Sequence, residues 1–184
     1  MNTGPIAHRY AKALLKFVME TGAGEKVYSQ ACVLVLRMQG YRQLADAIGK
    51  HPELPLERKK EILAAALGEP LSAELDRFVS LVYDRGRMDC IERILYSFVE
   101  QYRSANAIKV GTLVTACPVE GLKARLEGIL SGVTGARVLL EEDVNPEVLG
   151  GFVLKIDDLL MDASVEGHFR QLRRALIDNT NRIV

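Results

Sequence analysis

The sequence predicts an α+β fold: an N-terminal six-helix bundle followed by a small β-α-β-β-α domain. Three observations predict it. Up to Tyr102 the apolar residues recur at helical spacing, broken by segments carrying Gly and Pro. After Ser104 short stretches rich in β-branched residues take over. The 184 residues, 48% hydrophobic and 26% charged, have an ordinary globular composition with room for two small domains.

Taken in order, helices are expected at about 5–20, 25–39, 41–49, 55–67, 71–84 and 87–104. The breaks fall at Thr21-Gly22-Ala23-Gly24, Gly40, His51-Pro52, Gly68-Glu69-Pro70 and Arg85-Gly86-Arg87. Gly is favoured where a helix terminates with positive φ, and Pro where the next begins. Short connections imply antiparallel neighbours, so residues 1–104 form one domain. In residues 105–184 a strand is expected at 107–116, then a helix opened by Pro118 and carrying Leu122, Leu126, Ile129 and Leu130. A second strand covers 137–141. Residues 149–156 and 159–165 read as a hairpin turning at Asp157-Asp158, and a final helix runs from about 165 to 180.

Lys+Arg and Asp+Glu both number 24, so the formal net charge is zero. Residues 1–104 hold 15 basic and 13 acidic side chains and residues 105–184 hold 9 and 11. Neither half generates a steering field, and a nucleic-acid-binding domain would carry a basic excess or stripe. No apolar run approaches the ~18 residues that span a bilayer. Met1 leads within five residues into a helical pattern with His8, Arg9, Lys12 and Lys16, so no secretory leader is expected. Cys32, Cys90 and Cys117 are odd in number and widely spaced, which suits reduced thiols better than a disulfide framework or a zinc site. A soluble cytoplasmic protein is expected.

The helix faces are more informative. At 100° per residue the first helix gathers Ala13, Ile6, Phe17, Tyr10, Leu14, Ala7, Val18, Ala11 and Leu15 into one arc. That arc spans roughly 200°, where a helix lying on a core needs about 100°. The surplus has two readings: a helix wedged centrally in its own bundle, or a groove offered to a partner's amphipathic helix. In the fifth helix Leu71, Leu75, Phe78, Val79 and Val82 form an ordinary buried stripe, and Leu81 falls outside it between Glu74 and Arg77. An exposed Leu means little alone, but beside an over-wide apolar helix it becomes a contact point. The sixth helix sets Met88, Ile91, Leu95, Phe98 and Tyr102 at alternating spacing, the seam of a packed helix.

No catalytic constellation emerges. His8, His51 and His168 are isolated, and the carboxylates are spread without an acid–base pair. Ser164 lacks a G-x-S-x-G elbow, so Asp162 and Ser164 are read as caps of the last helix. Gly22-Ala23-Gly24 joins two helices and does not follow a strand, so it is no dinucleotide loop. Gly150-Gly151 lacks the Lys-Ser/Thr tail of a phosphate loop and marks a bulge or a close backbone approach. Gly132-Val133-Thr134-Gly135 matches the G-x-x-G of an RNA-binding KH domain, but it leads from a helix into a strand and has no basic residue. A non-enzyme without cofactor or metal is expected.

Two segments carry a family resemblance. One is Ala7-His8-Arg9-Tyr10-Ala11-Lys12-Ala13-Leu14, with its Arg-Tyr-Ala-x-Ala-Leu pattern. The other is Leu149-Gly150-Gly151-Phe152-Val153-Leu154-Lys155-Ile156, followed by Met161-Asp162-Ala163-Ser164-Val165 and Leu172. Together they closely resemble the δ subunit of bacterial F-type ATP synthase, the family of the mitochondrial oligomycin sensitivity-conferral protein. Arg85-Gly86-Arg87 is similar to that family as well, and the resemblance covers the whole chain. Asp157 departs from it, standing where the family usually has Gly, which alters the hairpin turn.

The resemblance implies a non-catalytic stator subunit that ties the catalytic head to the peripheral stalk, so that the head does not spin with the rotor and proton-driven ATP synthesis proceeds. It implies that residues 1–104 bind the N-terminal segment of an α subunit as a helix, between the first and fifth helices. Tyr10, Ala13, Leu14, Phe78, Leu81 and Val82 are the expected groove residues, and Gly86, Gly150, Gly151, Asp162 and Ser164 are structural positions of the motifs. Residues 105–184 are implied to hold the distal ends of the stalk b subunits. One copy per complex would sit peripherally on the cytoplasmic side of the bacterial inner (plasma) membrane, without cofactor or nucleic acid. The rival readings are a cytosolic helical adaptor unrelated to ATP synthase and an RNA-binding module, the latter disfavoured by the acidic balance of residues 105–184.

Overall fold

The computed structural model describes residues 4–156 and 159–169. The chain is α+β, a helical N-terminal region followed by a sheet domain, in two compact units that divide between Asn106 and Ala107.

The first unit carries α1 (Gly4–Thr21), α2 (Gly24–Gly40), α3 (Arg42–Gly49), α4 (Leu56–Leu67), α5 (Ala73–Asp84) and α6 (Ile91–Ala105). A 3₁₀ turn, Met88–Cys90, leads into α6. The spine is α6: its 3,4-spaced Ile91, Ile94, Leu95, Phe98, Val99 and Tyr102 are all buried, and it packs against both α1 and α2. Tyr102 stacks on Tyr28 of α2 with ring centroids 4.7 Å apart, inside the range where aromatic pairs attract beyond their area.

The end of α5 shows why Arg85-Gly86-Arg87 follows it. The Gly86 N–H donates to the Tyr83 carbonyl at 2.8 Å and the Arg87 N–H to the Val82 carbonyl at 3.0 Å, the paired bonds of a Schellman termination. That geometry sets Gly86 at φ +61, which costs glycine least.

Two buried polar side chains tie the helices together. Gln30 of α2 donates to Glu69 Oε1 at 2.7 Å and to the Pro70 carbonyl at 3.1 Å, and its own Oε1 accepts from the Ser72 N–H at 3.0 Å. With Ser72 held extended there (φ −62, ψ 151), α5 begins at Ala73 and not at the predicted 71. Lys59 of α4 donates its Nζ to the Ile48 carbonyl at 2.7 Å, in the last turn of α3, and lies 5.7 Å from the Tyr83 ring centroid. An ammonium at a helix C-terminus complements the partial negative charge of its free carbonyls. Burial pushes the Lys59 pKa down, with the Glu53 carboxylate acting in the opposite direction.

The second unit is β1 (Ile108–Thr115), α7 (Leu122–Thr134), β2 (Arg137–Val144), β3 (Phe152–Ile156) and β4 (Leu159–Asp162), with a helical turn at 165–169. The sheet order is β2-β1-β3-β4. β1 and β2 are parallel, as a strand–helix–strand crossover requires, and the other pairs are antiparallel. Register places Leu113 opposite Leu154, and Leu154 opposite Met161. The core is Leu113, Val138, Leu140, Leu154 and Ile156, against which Leu122, Leu126 and Leu130 of α7 pack. α7 also covers the free edge of β2: Glu127 Oε1 accepts from the Leu140 N–H at 2.8 Å and Ser131 Oγ from the Val138 N–H at 3.1 Å. Over Val138 and Leu140 the edge is thus occupied and offers no ladder to another chain.

Several boundaries differ from expectation. α7 starts at Leu122 and not at Pro118, because Gly121 sits in the left-handed region (φ +77) and no helix runs through it. β2 runs on to Val144 along its pairing with β1, which holds Glu141, Glu142 and Asp143 in the ladder. β3 begins after Gly150-Gly151, and β4 ends at Asp162. Gly132, Val133 and Thr134 are the end of α7, and Gly135 (φ +64) caps it, so the G-x-x-G match is a helix terminus. The expected turn at Asp157-Asp158 and the final helix beyond residue 169, Leu172 included, lie outside the described residues.

Candidate partner-binding site

On α1 only Ala7, Ala11, Leu14 and Val18 are buried. At 100° per residue they form a stripe roughly 60° wide, a fraction of the helix's apolar arc. Along one edge of that stripe Gln101 of α6 holds His8, its Nε2 3.1 Å from the His8 carbonyl and 3.2 Å from Nδ1. Along the other edge lie Ile6, Tyr10 and Phe17, half-buried, and Ala13, exposed. A helix wedged centrally would have buried both edges. This one leaves an apolar flank only partly covered, and α5 is a further neighbour of α1.

On α5 the stripe Leu75, Phe78, Val79 and Val82 is buried, while Leu81 remains 46% exposed. The six expected groove residues therefore separate into two sets. Tyr10, Ala13 and Leu81 carry accessible surface. Leu14 and Val82 have none and Phe78 only 6%, so these three belong to the core of the unit and present almost no surface. Helical periodicity marks an apolar face but does not separate the part a unit buries for itself from the part it leaves for another chain.

In the second unit Gly150, Gly151, Asp162 and Ser164 build one corner. The Ala163 N–H donates to the Phe152 carbonyl at 2.9 Å and the Val165 N–H to the Gly150 carbonyl at 3.0 Å, bringing the two segments into backbone contact. Gly151 has φ +76, and a β-carbon there would overlap the Ala163 carbonyl oxygen and stand 3.1 Å from Ser164 Cα. Asp162 Oδ1 accepts from the Ser164 N–H at 3.0 Å and from its hydroxyl. Ser164 Oγ in turn accepts from the Gly167 N–H at 2.9 Å, the N-cap bond of the helical turn that follows. His168 Nδ1 lies 2.9 Å from the Ser164 backbone carbonyl and not from its hydroxyl. Asp162, Ser164 and His168 thus form a cap, with no imidazole on the hydroxyl of the kind a nucleophilic serine needs.

A second set of exposed apolar residues escaped the sequence reading. Leu149, Leu159, Leu160, Met161, Val165 and Phe169 are exposed, and Leu149 is held at φ +61. The signal was available in the unbroken apolar run Leu159-Leu160-Met161, which in a half-covered strand would alternate with polar residues. Among the described residues no three His, Cys, Asp or Glu side chains converge as a metal site, and no helix is long and apolar enough to cross a membrane.

The profile of the ATP synthase delta (OSCP) subunit family matches residues 6–176. The ATP synthase subunit delta of Phocaeicola vulgatus is 34% identical to this chain over 186 residues, and that of Bacteroides thetaiotaomicron is 29% identical over 191, each covering 100% of both chains. A chain in the cryo-EM structure of the Toxoplasma gondii mitochondrial ATP synthase hexamer matches with a TM-score of 0.60 at 17% identity. It covers 93% of this chain and 97% of its own length, a likeness of fold.

Proposed function

The chain belongs to the ATP synthase delta (OSCP) subunit family, and on that premise we propose that the partly covered flank of α1, with Leu81, receives the N-terminal segment of the α subunit. The protein is a stator component of F-type ATP synthase, part of its peripheral stalk, and contributes no catalytic step of its own. In our reading the α segment lies as an amphipathic helix on Tyr10, Ala13 and Leu81. Leu14, Phe78 and Val82 support that surface from beneath. Ala13 suits the role because a small side chain lets a second helix approach closely. Residues 105–184 hold the distal ends of the b subunits. One copy then links head to stalk on the cytoplasmic side of the bacterial inner membrane, attached through the complex.

The observation that carries this reading is the apolar surplus of α1, which its own unit buries only in part. A stator bears torque continuously, so slow dissociation matters more than turnover, and apolar burial supplies that without a strong field. Calorimetric titration with the α N-terminal segment tests it. Truncating a hot-spot aromatic costs ~2 kcal/mol or more, so Tyr10→Ala weakens binding about thirtyfold and Leu81→Asp at least as much, with unchanged circular dichroism. Wild-type affinity in both variants overturns the assignment. A tagged copy that brings down α, β and b separates this role from that of an unrelated adaptor.

A further inference from the structure

We propose that Arg9, Lys12 and Lys16 of α1 select a partner helix whose neighbouring flank carries carboxylates; this rests on the docking reading above. Spaced i, i+3 and i+7, the three side chains run as one row along the helix. The row borders the flank of Ile6, Tyr10, Ala13 and Phe17 on the side away from the buried stripe. All three are exposed, and among the described residues none makes a hydrogen bond or an ion pair. Other cations of the unit are committed: Lys50 to Asp46 at 2.8 Å, Arg58 to Glu61 at 2.6 Å, Lys60 to Asp76 at 2.9 Å and Arg103 to Glu100 at 3.3 Å.

Within α1 the row has one carboxylate neighbour, Glu20, four residues after Lys16; Arg9 and Lys12 have none on that helix, and no acidic residue stands in its first turn. On α5 the charges around Leu81 are of both signs, Glu74 and Asp84 against Arg77. A helix lying on this surface therefore meets a cationic wall on the α1 side and a mixed wall on the α5 side. Apolar contact alone lets an amphipathic helix settle in either direction and in more than one rotation. An unpaired cationic row rewards acidic residues at matching i, i+3/i+4, i+7 positions and penalises a basic flank, so it fixes both.

The test titrates the full-length protein with the α N-terminal segment and with the same peptide whose Asp and Glu are replaced by Asn and Gln. The triple variant Arg9→Gln, Lys12→Gln, Lys16→Gln is expected to bind the native peptide about tenfold more weakly at low salt, the sum of three exposed pairs. The deficit shrinks at ~1 M salt, where the Debye length is about 3 Å. The neutralised peptide is expected to bind variant and wild type alike. If the triple variant binds the native peptide as wild type does, or loses the neutralised peptide equally, the charge proposal is overturned. The same follows if sedimentation shows a second copy of this chain occupying the flank in a dimer that Leu81→Asp abolishes. Leu81→Asp separates the two levels in the peptide titration. Lost binding there, with an intact triple variant, removes the charge proposal alone, whereas unchanged binding removes the docking reading as well.

Discussion

The two units differ in how much of their apolar surface they need for themselves. In the helical unit α6 buries six residues along one seam and α1 has only to lay a narrow stripe on it, so much of the α1 surface is left over. In the sheet unit no residue of α7 is fully buried, and the core is five strand residues with three leucines leaning on them. A surface for a partner arises at low cost where a spine element already provides the core. Where the core is small, apolar side chains that find no place on it stay exposed, as Leu149, Leu159, Leu160, Met161, Val165 and Phe169 do.

The strongest challenge to that contrast is a matched pair of truncations. Phe98→Ala removes the centre of the α6 seam and costs about 3–5 kcal/mol, and Leu113→Ala at the middle of β1 costs about 2–5 kcal/mol. Although the second change is no larger, it is expected to abolish protection of β1 to β4 in hydrogen exchange while α1 to α6 stay protected. Phe98→Ala should leave both units folded at 25 °C. Simultaneous loss of both units in either variant would show that their stabilities are not separate.

A smaller effect sharpens the comparison inside the helical unit. Gln30→Leu orphans the buried Ser72 N–H and the Pro70 carbonyl and is expected to cost about 1–3 kcal/mol, read as a lower denaturant midpoint with unchanged slope. Wild-type stability in this variant would mean that the seam alone holds α2 to the α4–α5 link. The smallest effect is a pH slope. Burial holds the Lys59 pKa below its ordinary 10.5, so in that alkaline window the unfolded chain binds more protons and stability rises with pH. Lys59→Met removes this contribution. Wild type should therefore gain on the variant as pH climbs toward 10.5, and a constant difference between them would contradict the burial argument.

The fold was largely legible because its helices are amphipathic and end at residues with specific backbone roles, such as Gly86 and Gly68. The proposed docking site was legible only in outline. Tyr10, Ala13 and Leu81 could be separated from Leu14, Phe78 and Val82 only by the burial of each side chain in the folded unit, which helical periodicity does not give. Gln30, Lys59 and Glu127 were invisible to periodicity. A polar side chain reads as solvated until a distant backbone group is found waiting for it, the Ser72 N–H, the Ile48 carbonyl or the Leu140 N–H. The start of α7 was misplaced because a proline signal at 118 is local, while the left-handed Gly121 that overrides it belongs to the loop geometry.

The corner at Gly151 has a genetic consequence. Every single-base change in a glycine codon that alters the residue either adds a side chain or ends the chain. At Gly151 any side chain begins by striking the Ala163 carbonyl, and only glycine tolerates the φ of +76 comfortably. No one-step missense mutation is therefore sterically neutral at this codon, whatever the chemistry of the replacement. Relief would need Ala163 and Ser164 to move, and with them the Asp162–Ser164 cap that starts the next helix. The corner is therefore closed to gradual revision by single substitutions at Gly151.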